Sequence, residues 1–176
     1  MNILVVTGSP RKGSNTDMMA DAFAEGALEA GHRVTVRHLH EHPVAPCLAC
    51  EYCFSHDGVC VQKDDMNALL ADVDAADALV LASPIYWFDV SAQTKCFIDR
   101  LYARARKGFN LKACGMLLDS GSPDVYGAAE RQLADICAYL KWENKGTFTA
   151  PGMDGRGSIA DTDYLDAARD FGKSFA

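Results

Sequence analysis

The first thirty residues place the strongest limit on how this chain can fold. Residues 3–7 are uncharged and predict a buried strand, and the polar residues 8–16 predict a tight turn after it. Apolar residues from Met18 to Ala30 then recur at helical spacing, and Gly31 stands where a C-terminal helix cap is expected. This order places a helix N-terminus beside the polar loop, where free N–H groups and a partial positive charge attract an anion.

The composition of this loop narrows the kind of anion. Ser14 stands where a nucleoside triphosphatase loop needs its lysine, and the glycines do not form the G-x-G-x-x-G pattern of a dinucleotide site. Several hydroxyl and amide donors with one arginine suit a terminal monophosphate instead. An ordinary turn whose polar residues only cap the helix is the alternative. The candidate donors are Ser9, Arg11, Ser14, Asn15 and Thr16.

Strands and helices alternate five times along the 176 residues. This alternation predicts an α/β doubly wound fold, in which helices cover both faces of a five-stranded parallel sheet. The length suits a single domain spanning residues 1–176, with a long loop at about residues 40–64. The other strands are predicted over residues 33–37, 78–82, 113–118 and 147–149, and the other helices over residues 66–73, 91–105, 125–140 and 159–174.

Three predicted loops leave strands at the edge where parallel sheets bind ligands. Residues 9–16 suit a phosphate. Residues 84–89 contain three adjacent aromatic side chains, which are large enough to flank a planar ring, and residues 119–126 are rich in small polar groups. Core packing or a contact between subunits is the alternative for the aromatic residues.

Charge and cysteine usage exclude other classes of protein. The net charge of −7, without a basic block, argues against nucleic acid or an anionic membrane as a partner. The longest apolar runs are too short to span a membrane, and the first residues enter a strand directly, so we expect no secretory signal. Seven cysteines then indicate reduced thiols, metal or redox chemistry in a cytoplasmic protein.

Four of these cysteines lie close together in the pattern C-x2-C-x2-C-x6-C. Four thiolates at this spacing can hold a [4Fe–4S] cluster. Unliganded thiols, a disulfide and tetrahedral zinc are the alternatives, although zinc sites more often use two separated pairs of cysteines. The candidate metal ligands are Cys47, Cys50, Cys53 and Cys60, whereas Cys96, Cys114 and Cys137 are expected in the core.

The polar loops contain no set of nucleophile, base and orienting residue. The five histidines lie outside these loops, and we expect most of them on the surface. We therefore expect no catalytic side chain, which fits chemistry carried by a cofactor. Asp64 and Asp65 are expected only to cap the helix that follows them.

Taken together in order, these motifs resemble the NAD(P)H-dependent FMN reductase family. That family is flavodoxin-like and includes iron–sulfur flavoproteins, so the resemblance implies a sheet of order 2-1-3-4-5 that holds FMN. The matching motifs are Gly8-Ser9-Pro10-Arg11-x-Gly13-Ser14-Asn15-Thr16, Cys47-x-x-Cys50-x-x-Cys53, Cys60, Lys63-Asp64-Asp65-Met66 and Ser83-Pro84-Ile85-Tyr86-Trp87.

The resemblance also implies a site and a reaction. Ser9, Arg11, Ser14, Asn15 and Thr16 would hold the FMN phosphate, Pro84, Ile85, Tyr86, Trp87 and Phe88 would lie along the isoalloxazine and ribityl chain, and Ser120 and Gly121 would complete the ring site.

The implied reaction is hydride transfer from NAD(P)H to bound FMN and onward to a small-molecule acceptor, catalysed by a homodimer or homotetramer. An iron–sulfur flavoprotein that passes electrons to a redox protein is the alternative. A signalling module of the same topology is disfavoured, because receiver modules need a carboxylate where this chain has the segment Thr7-Gly8-Ser9.

Overall fold

A computed structural model describes residues 1–175 and contains one sheet built around five long parallel strands. The strands are β1 (Asn2–Thr7), β2 (Arg33–His38), β3 (Ala78–Tyr86), β4 (Asp89–Val90), β5 (Ala113–Asp119) and β6 (Glu143–Ala150). The order across the sheet is β2-β1-β3-β5-β6, and the short β4 pairs antiparallel with the end of β3. Counted without β4, this is the order 2-1-3-4-5, so the expected flavodoxin-like topology is confirmed.

Helices cover both faces of the sheet, as the alternating sequence predicted. They are α1 (Asn15–Glu29), α2 (Tyr52–Ser55), α3 (Met66–Ala75), α4 (Ala92–Arg100), α5 (Gly127–Leu140) and α6 (Tyr164–Lys173), with 3₁₀ turns at Leu101–Arg104 and Ser158–Asp161. Alternate residues of β1 point to opposite faces, so Leu4 and Val6 pack against α3, α4 and α5, while Ile3 and Val5 pack against α1 and α6. No helix within residues 1–175 is long and apolar enough to cross a membrane.

β3 is longer than the sequence predicted. It continues to Tyr86 instead of ending at residue 82, and Pro84 is in register with Asp119 at the end of β5. Proline is tolerated there because the ladder is ending, and the following residues turn back into β4. The aromatic segment is therefore a hairpin tip and not an irregular loop.

Three further element boundaries differ from the predictions. β6 begins at Glu143 and not at residue 147, because it is an edge strand whose polar first residues face solvent. The helix predicted over residues 91–105 ends at Arg100 and continues as a 3₁₀ turn. The last helix begins at Tyr164, because a separate 3₁₀ turn occupies the residues before it.

α1 and α6 approach each other closely at two glycines. A Cβ atom added to Gly26 would lie 1.8 Å from the backbone oxygen of Arg169, and one added to Gly172 would lie 2.1 Å from the backbone oxygen of Phe23. Backbone atoms cannot swing aside as a flexible side chain can, so both positions exclude any larger residue.

We expect Gly26→Ala to lower the free energy of unfolding by about 1–3 kcal/mol, because overpacking outweighs the helix-propensity gain of about 1 kcal/mol. Gly127, in the first turn of α5, is the matched control, since an added Cβ meets nothing within 4 Å. Gly127→Ala should be neutral or stabilising by up to about 1 kcal/mol. Urea unfolding measures both variants, and equal effects would contradict the close contact.

Candidate functional site

The loop after β1 is fixed by hydrogen bonds at both of its ends. At its start, the amide of Gly8 donates to the carbonyl of Ala82 in β3, at 2.8 Å. At its end, Ser14 caps α1: the Asp17 amide donates to Ser14 Oγ at 3.1 Å, and the Ser14 amide donates to Asp17 Oδ2 at 3.3 Å. The N–H groups of Asn15 and Thr16 remain without intrahelical partners, so the loop presents free donors at a helix N-terminus.

Loops from the ends of β1, β3, β5 and β6 enclose one pocket, the edge pocket. The space inside it, counting the part open to solvent at its mouth, is ≈ 680 Å³. The lining residues are Ser9, Arg11, Ser14, Asn15, Thr16, Pro84, Ile85, Tyr86, Asp119, Ser120, Gly121, Met153, Asp154, Gly155 and Arg156.

Ten of the twelve residues predicted to bind the cofactor line this pocket. The other two, Trp87 and Phe88, lie outside its walls and are 93% and 61% exposed. Both have positive φ angles, of 53° and 71°, in the turn between β3 and β4. This left-handed turn places both residues at the tip of the hairpin.

Five lining residues were missed by the sequence predictions, and four of them belong to the segment that follows β6. This segment folds back over the first loop: Asn15 Nδ2 donates to the carbonyl of Gly155 at 2.8 Å, and the amide of Ile159 donates to Asn15 Oδ1 at 3.2 Å. Arg156 reaches across to donate to the carbonyl of Lys12. The segment contains no regular element, so only its clustered glycines and charges marked it in the sequence.

The edge pocket contains charges of both signs. Arg11 is exposed, and within residues 1–175 no carboxylate pairs with it, so its guanidinium is free for a ligand. Asp119 is buried and accepts a hydrogen bond from Thr16 Oγ1 at 2.5 Å. Burial raises the pKa of Asp119 to about 6, and the nearby Asp17 carboxylate adds to this rise, while the bond from Thr16 opposes it.

The four candidate ligand cysteines line a second, smaller pocket. Burial raises the pKa of Cys53, and the thiols of Cys60, Cys47 and Cys50 raise it further, which places all four close together. Among residues 1–175, no three of these sulfur atoms lie within 4.8 Å of one another. Sulfurs around a tetrahedral zinc are about 3.8 Å apart, so the spacing is wider than a formed zinc site requires.

A buried arginine anchors the cysteine pocket. The side chain of Arg100 is 1% exposed and donates to both carboxylate oxygens of Asp64, at 2.8 and 2.9 Å, and to Cys60 Sγ at 3.2 Å. Burial disfavours the ionised form of Asp64, but bonds from Arg100 and from two backbone amides lower its pKa. Asp64 also accepts a hydrogen bond from the Met66 amide at the start of α3, as predicted for a cap, but Asp65 makes no side-chain cap bond, and the ion pair with Arg100 was not predicted.

The remaining cysteines and histidines agree only partly with expectation. Cys114 and Cys137 are buried as predicted, whereas Cys96 is only half-buried. His38 and His40 are not surface residues, since their side chains are 25% and 13% exposed. His38 is the last residue of β2, His40 comes just after it, and both approach α1, which a polar sequence at a strand end does not reveal.

We expect Asp119→Asn to change how stability depends on pH. Because the folded-state pKa of about 6 lies above the ordinary 3.8, the carboxyl of Asp119 contributes stability below about pH 4 that is lost as the pH rises through 6. The wild-type advantage over the variant should therefore fall by roughly 2–3 kcal/mol between about pH 4 and 7.

Urea unfolding of the FMN-free proteins at several pH values measures this difference. Thr16→Val removes the hydrogen bond that lowers the pKa of Asp119, so it should move the titration to higher pH. A difference between wild type and Asp119→Asn that stays flat across the range would show that Asp119 is not buried as described.

Comparison with solved structures supports the fold. An NAD(P)H:quinone oxidoreductase from Methanothermobacter marburgensis superposes over 100% of this chain and 99% of its own, with a TM-score of 0.81 and 21% sequence identity. At this identity the likeness establishes the architecture alone.

Sequence relatives include two iron–sulfur flavoproteins. One, from Archaeoglobus fulgidus, is 40% identical over 101 residues, which are 57% of this chain and 46% of that protein. The other, from Methanosarcina thermophila, is 38% identical over 112 residues, which are 64% of this chain and 58% of that protein. The matched segments thus span about half the length of these relatives. A sequence model of NADPH-dependent FMN reductases matches residues 1–150, and the chain therefore belongs to the NADPH-dependent FMN reductase family.

Proposed function

We propose that this chain is an FMN-dependent NAD(P)H oxidoreductase of the flavin or quinone reductase type. The observation that carries the proposal is the edge pocket, where donor-rich loops converge at the carboxyl edge of a 2-1-3-4-5 sheet. When bound there, FMN would accept a hydride from NAD(P)H and pass electrons to a small-molecule acceptor. The protein's own task is to bind, orient and shield that cofactor.

One end of the edge pocket suits the phosphate. The free amides of Asn15 and Thr16 point from a helix N-terminus, which favours a negative charge. Arg11 adds a guanidinium with no competing carboxylate among residues 1–175, and Arg156 brings a second one over the same loop. Two guanidinium groups and oriented backbone amides are a donor set matched to a dianionic phosphate.

The rest of the edge pocket suits the sugar chain and the ring. Asp119 and Asp154 supply carboxylate oxygens that can accept hydrogen bonds from ribityl hydroxyls. Ile85 and Tyr86 form an apolar wall for one side of the isoalloxazine. Ser120 begins the loop opposite, and its amide is already occupied by the carbonyl of Ala150, which fixes the loop's position.

Exposed aromatic rings support association of the chain with itself. Trp87 and Phe88 stand at the hairpin tip next to the mouth of the edge pocket, and single large rings this exposed are favoured at subunit contacts. A homodimer or homotetramer would cover them and place them near the flavin ring.

The expected cytoplasmic location also stays a prediction, and the seven cysteines, none of them paired within residues 1–175, support it.

We expect Arg11→Ala to weaken FMN binding about 10- to 100-fold, since a charge-assisted hydrogen bond contributes roughly 1.5–3 kcal/mol. The measurement is the rate of NADPH oxidation with a quinone acceptor while FMN is titrated. The variant should reach the wild-type plateau at correspondingly higher FMN. Lys12→Ala is the matched control, because Lys12 is exposed, pairs with Glu41 and does not line the pocket.

Two outcomes would count against these assignments separately. An unchanged FMN requirement in Arg11→Ala would remove Arg11 from the phosphate site while leaving the reaction standing. FMN-loaded wild-type protein that oxidises neither NADH nor NADPH, with quinone or free flavin as acceptor, would overturn the proposed reaction.

A second candidate function rests on the cysteine pocket. Four thiols converge there at spacings too wide for preformed zinc, and Arg100 donates to one of them, a bond that would stabilise a thiolate ligand. Two relatives are named iron–sulfur flavoproteins. These observations support a [4Fe–4S] cluster held by Cys47, Cys50, Cys53 and Cys60, which would let the chain pass single electrons to a redox protein.

Purification without oxygen, with iron and sulfide analysis, tests the cluster. We expect about four iron and four sulfide per chain and a broad absorption in the blue that dithionite bleaches. Cys60→Ser should lose this absorption, whereas Cys96→Ser should keep it, because Cys96 lies outside the cysteine pocket. Flavin bands without iron, both after purification and after reconstitution, would leave the reductase and reject the electron carrier.

A further inference from the structure

A second group of side chains that can ligate a metal lies apart from the edge pocket and the cysteine pocket. Asp17 on the first turn of α1, His38 at the end of β2 and His40 just after it each offer a ligand atom, and these atoms lie within 4.8 Å of one another. Asp17 is 6% exposed, and both histidines are largely buried. The group is therefore largely sheltered from bulk water.

The distances within this group are close to those around a bound ion. His38 Nδ1 and Asp17 Oδ1 are 3.2 Å apart, and the two imidazole centroids are 5.3 Å apart with their planes tilted by 47°. A zinc–nitrogen bond of about 2.1 Å puts each ring centre about 3.2 Å from the metal, and a tetrahedral angle then separates the centres by about 5.2 Å. The rings therefore already stand at the separation that a shared ion requires.

His40 has a ring nitrogen that no hydrogen bond uses among the described residues. Its Nδ1 is buried and has no hydrogen-bond partner among the described residues. Its Nε2 lies 3.8 Å from Glu41 Oε1, which is too far for a hydrogen bond. A buried nitrogen without a partner is costly, and a metal ion would satisfy it.

The surrounding charge favours a cation. Burial raises the pKa of Asp21 and the nearby His38 opposes this rise, so a second carboxylate of α1 lies close to the group. The Thr7 hydroxyl lies 2.8 Å from Asp17 Oδ1 and 3.0 Å from His38 Nδ1, where it can hold a ligand in place.

We propose that Asp17, His38 and His40 bind one divalent first-row transition ion, with Zn²⁺ as the test case. Two imidazoles and one carboxylate match the ligands that Zn²⁺ uses when three come from the protein. Ca²⁺ and Mg²⁺ prefer all-oxygen sites, so they are disfavoured here. The ion would join the end of β2 to the first turn of α1, immediately behind the loop of the edge pocket.

The test must first remove competing thiols, because the four loop cysteines would take zinc themselves. The background protein therefore carries serine at Cys47, Cys50, Cys53 and Cys60, and zinc binding is measured by calorimetry. We expect one zinc per chain. His40→Ala in this background should weaken binding at least about 10- to 100-fold, since even residues behind the ligands have effects of that size.

His40 is the deciding residue because, among residues 1–175, its Nδ1 makes no hydrogen bond that the replacement would remove. His42→Ala is the matched control: it lies two positions further on, near Asp65 and outside the group, and should bind zinc as the background does. If the serine background does not fold, wild-type protein with alkylated thiols replaces it. Absence of zinc binding, or equal binding by His40→Ala and the background, would overturn the proposal.

Discussion

The carboxyl edge of the sheet depends on the hydrogen bonds that the Asp17 carboxylate accepts. One oxygen accepts the Ser14 amide and completes the cap of α1, while the other accepts the Thr7 hydroxyl and lies 3.2 Å from His38 Nδ1. A buried carboxylate is stable only when such partners surround it, so the ends of β1 and β2 and the start of α1 are fixed together. The first turn of α1 lines the edge pocket, and this network holds it in place.

Local patterns allowed much of this arrangement to be predicted from the sequence. The donors from Ser9 to Thr16 are contiguous, and a strand, a polar turn and a helix are each recognised over a few residues. The alternating elements predicted a parallel sheet covered by helices, and the resemblance to the FMN reductase family implied its strand order. The contacts that could not be predicted join segments that are far apart in the sequence. Asp119 reaches Thr16 only through the order of the strands, and Arg156 reaches Lys12 only because an irregular segment folds back.

The histidines also show that a local sequence pattern does not reveal tertiary contacts. His38 ends a strand that alternates polar and apolar residues, and such a residue is expected to face solvent. Thr7 is its parallel partner in β1, and α1 crosses directly over that pair, so the tertiary structure covers what the strand pattern exposes. Trp87 is the reverse case. Its large aromatic side chain favours burial, but Trp87 and Phe88 both have positive φ angles and form the tip of a hairpin.

α4 contacts both the edge-pocket loop and the cysteine pocket. At its N-terminus, Ser91 Oγ donates to the carbonyl of Gly8 at 2.6 Å, and a Cβ on Gly8 would lie 1.8 Å from Thr94 Oγ1, so this end is pressed against the edge-pocket loop. At its C-terminus, Arg100 donates to Cys60. The nine residues of α4 span about 13 Å along the helix axis. Because both ends are hydrogen-bonded, α4 connects the cysteine pocket to the edge pocket although most of the cysteine loop is irregular.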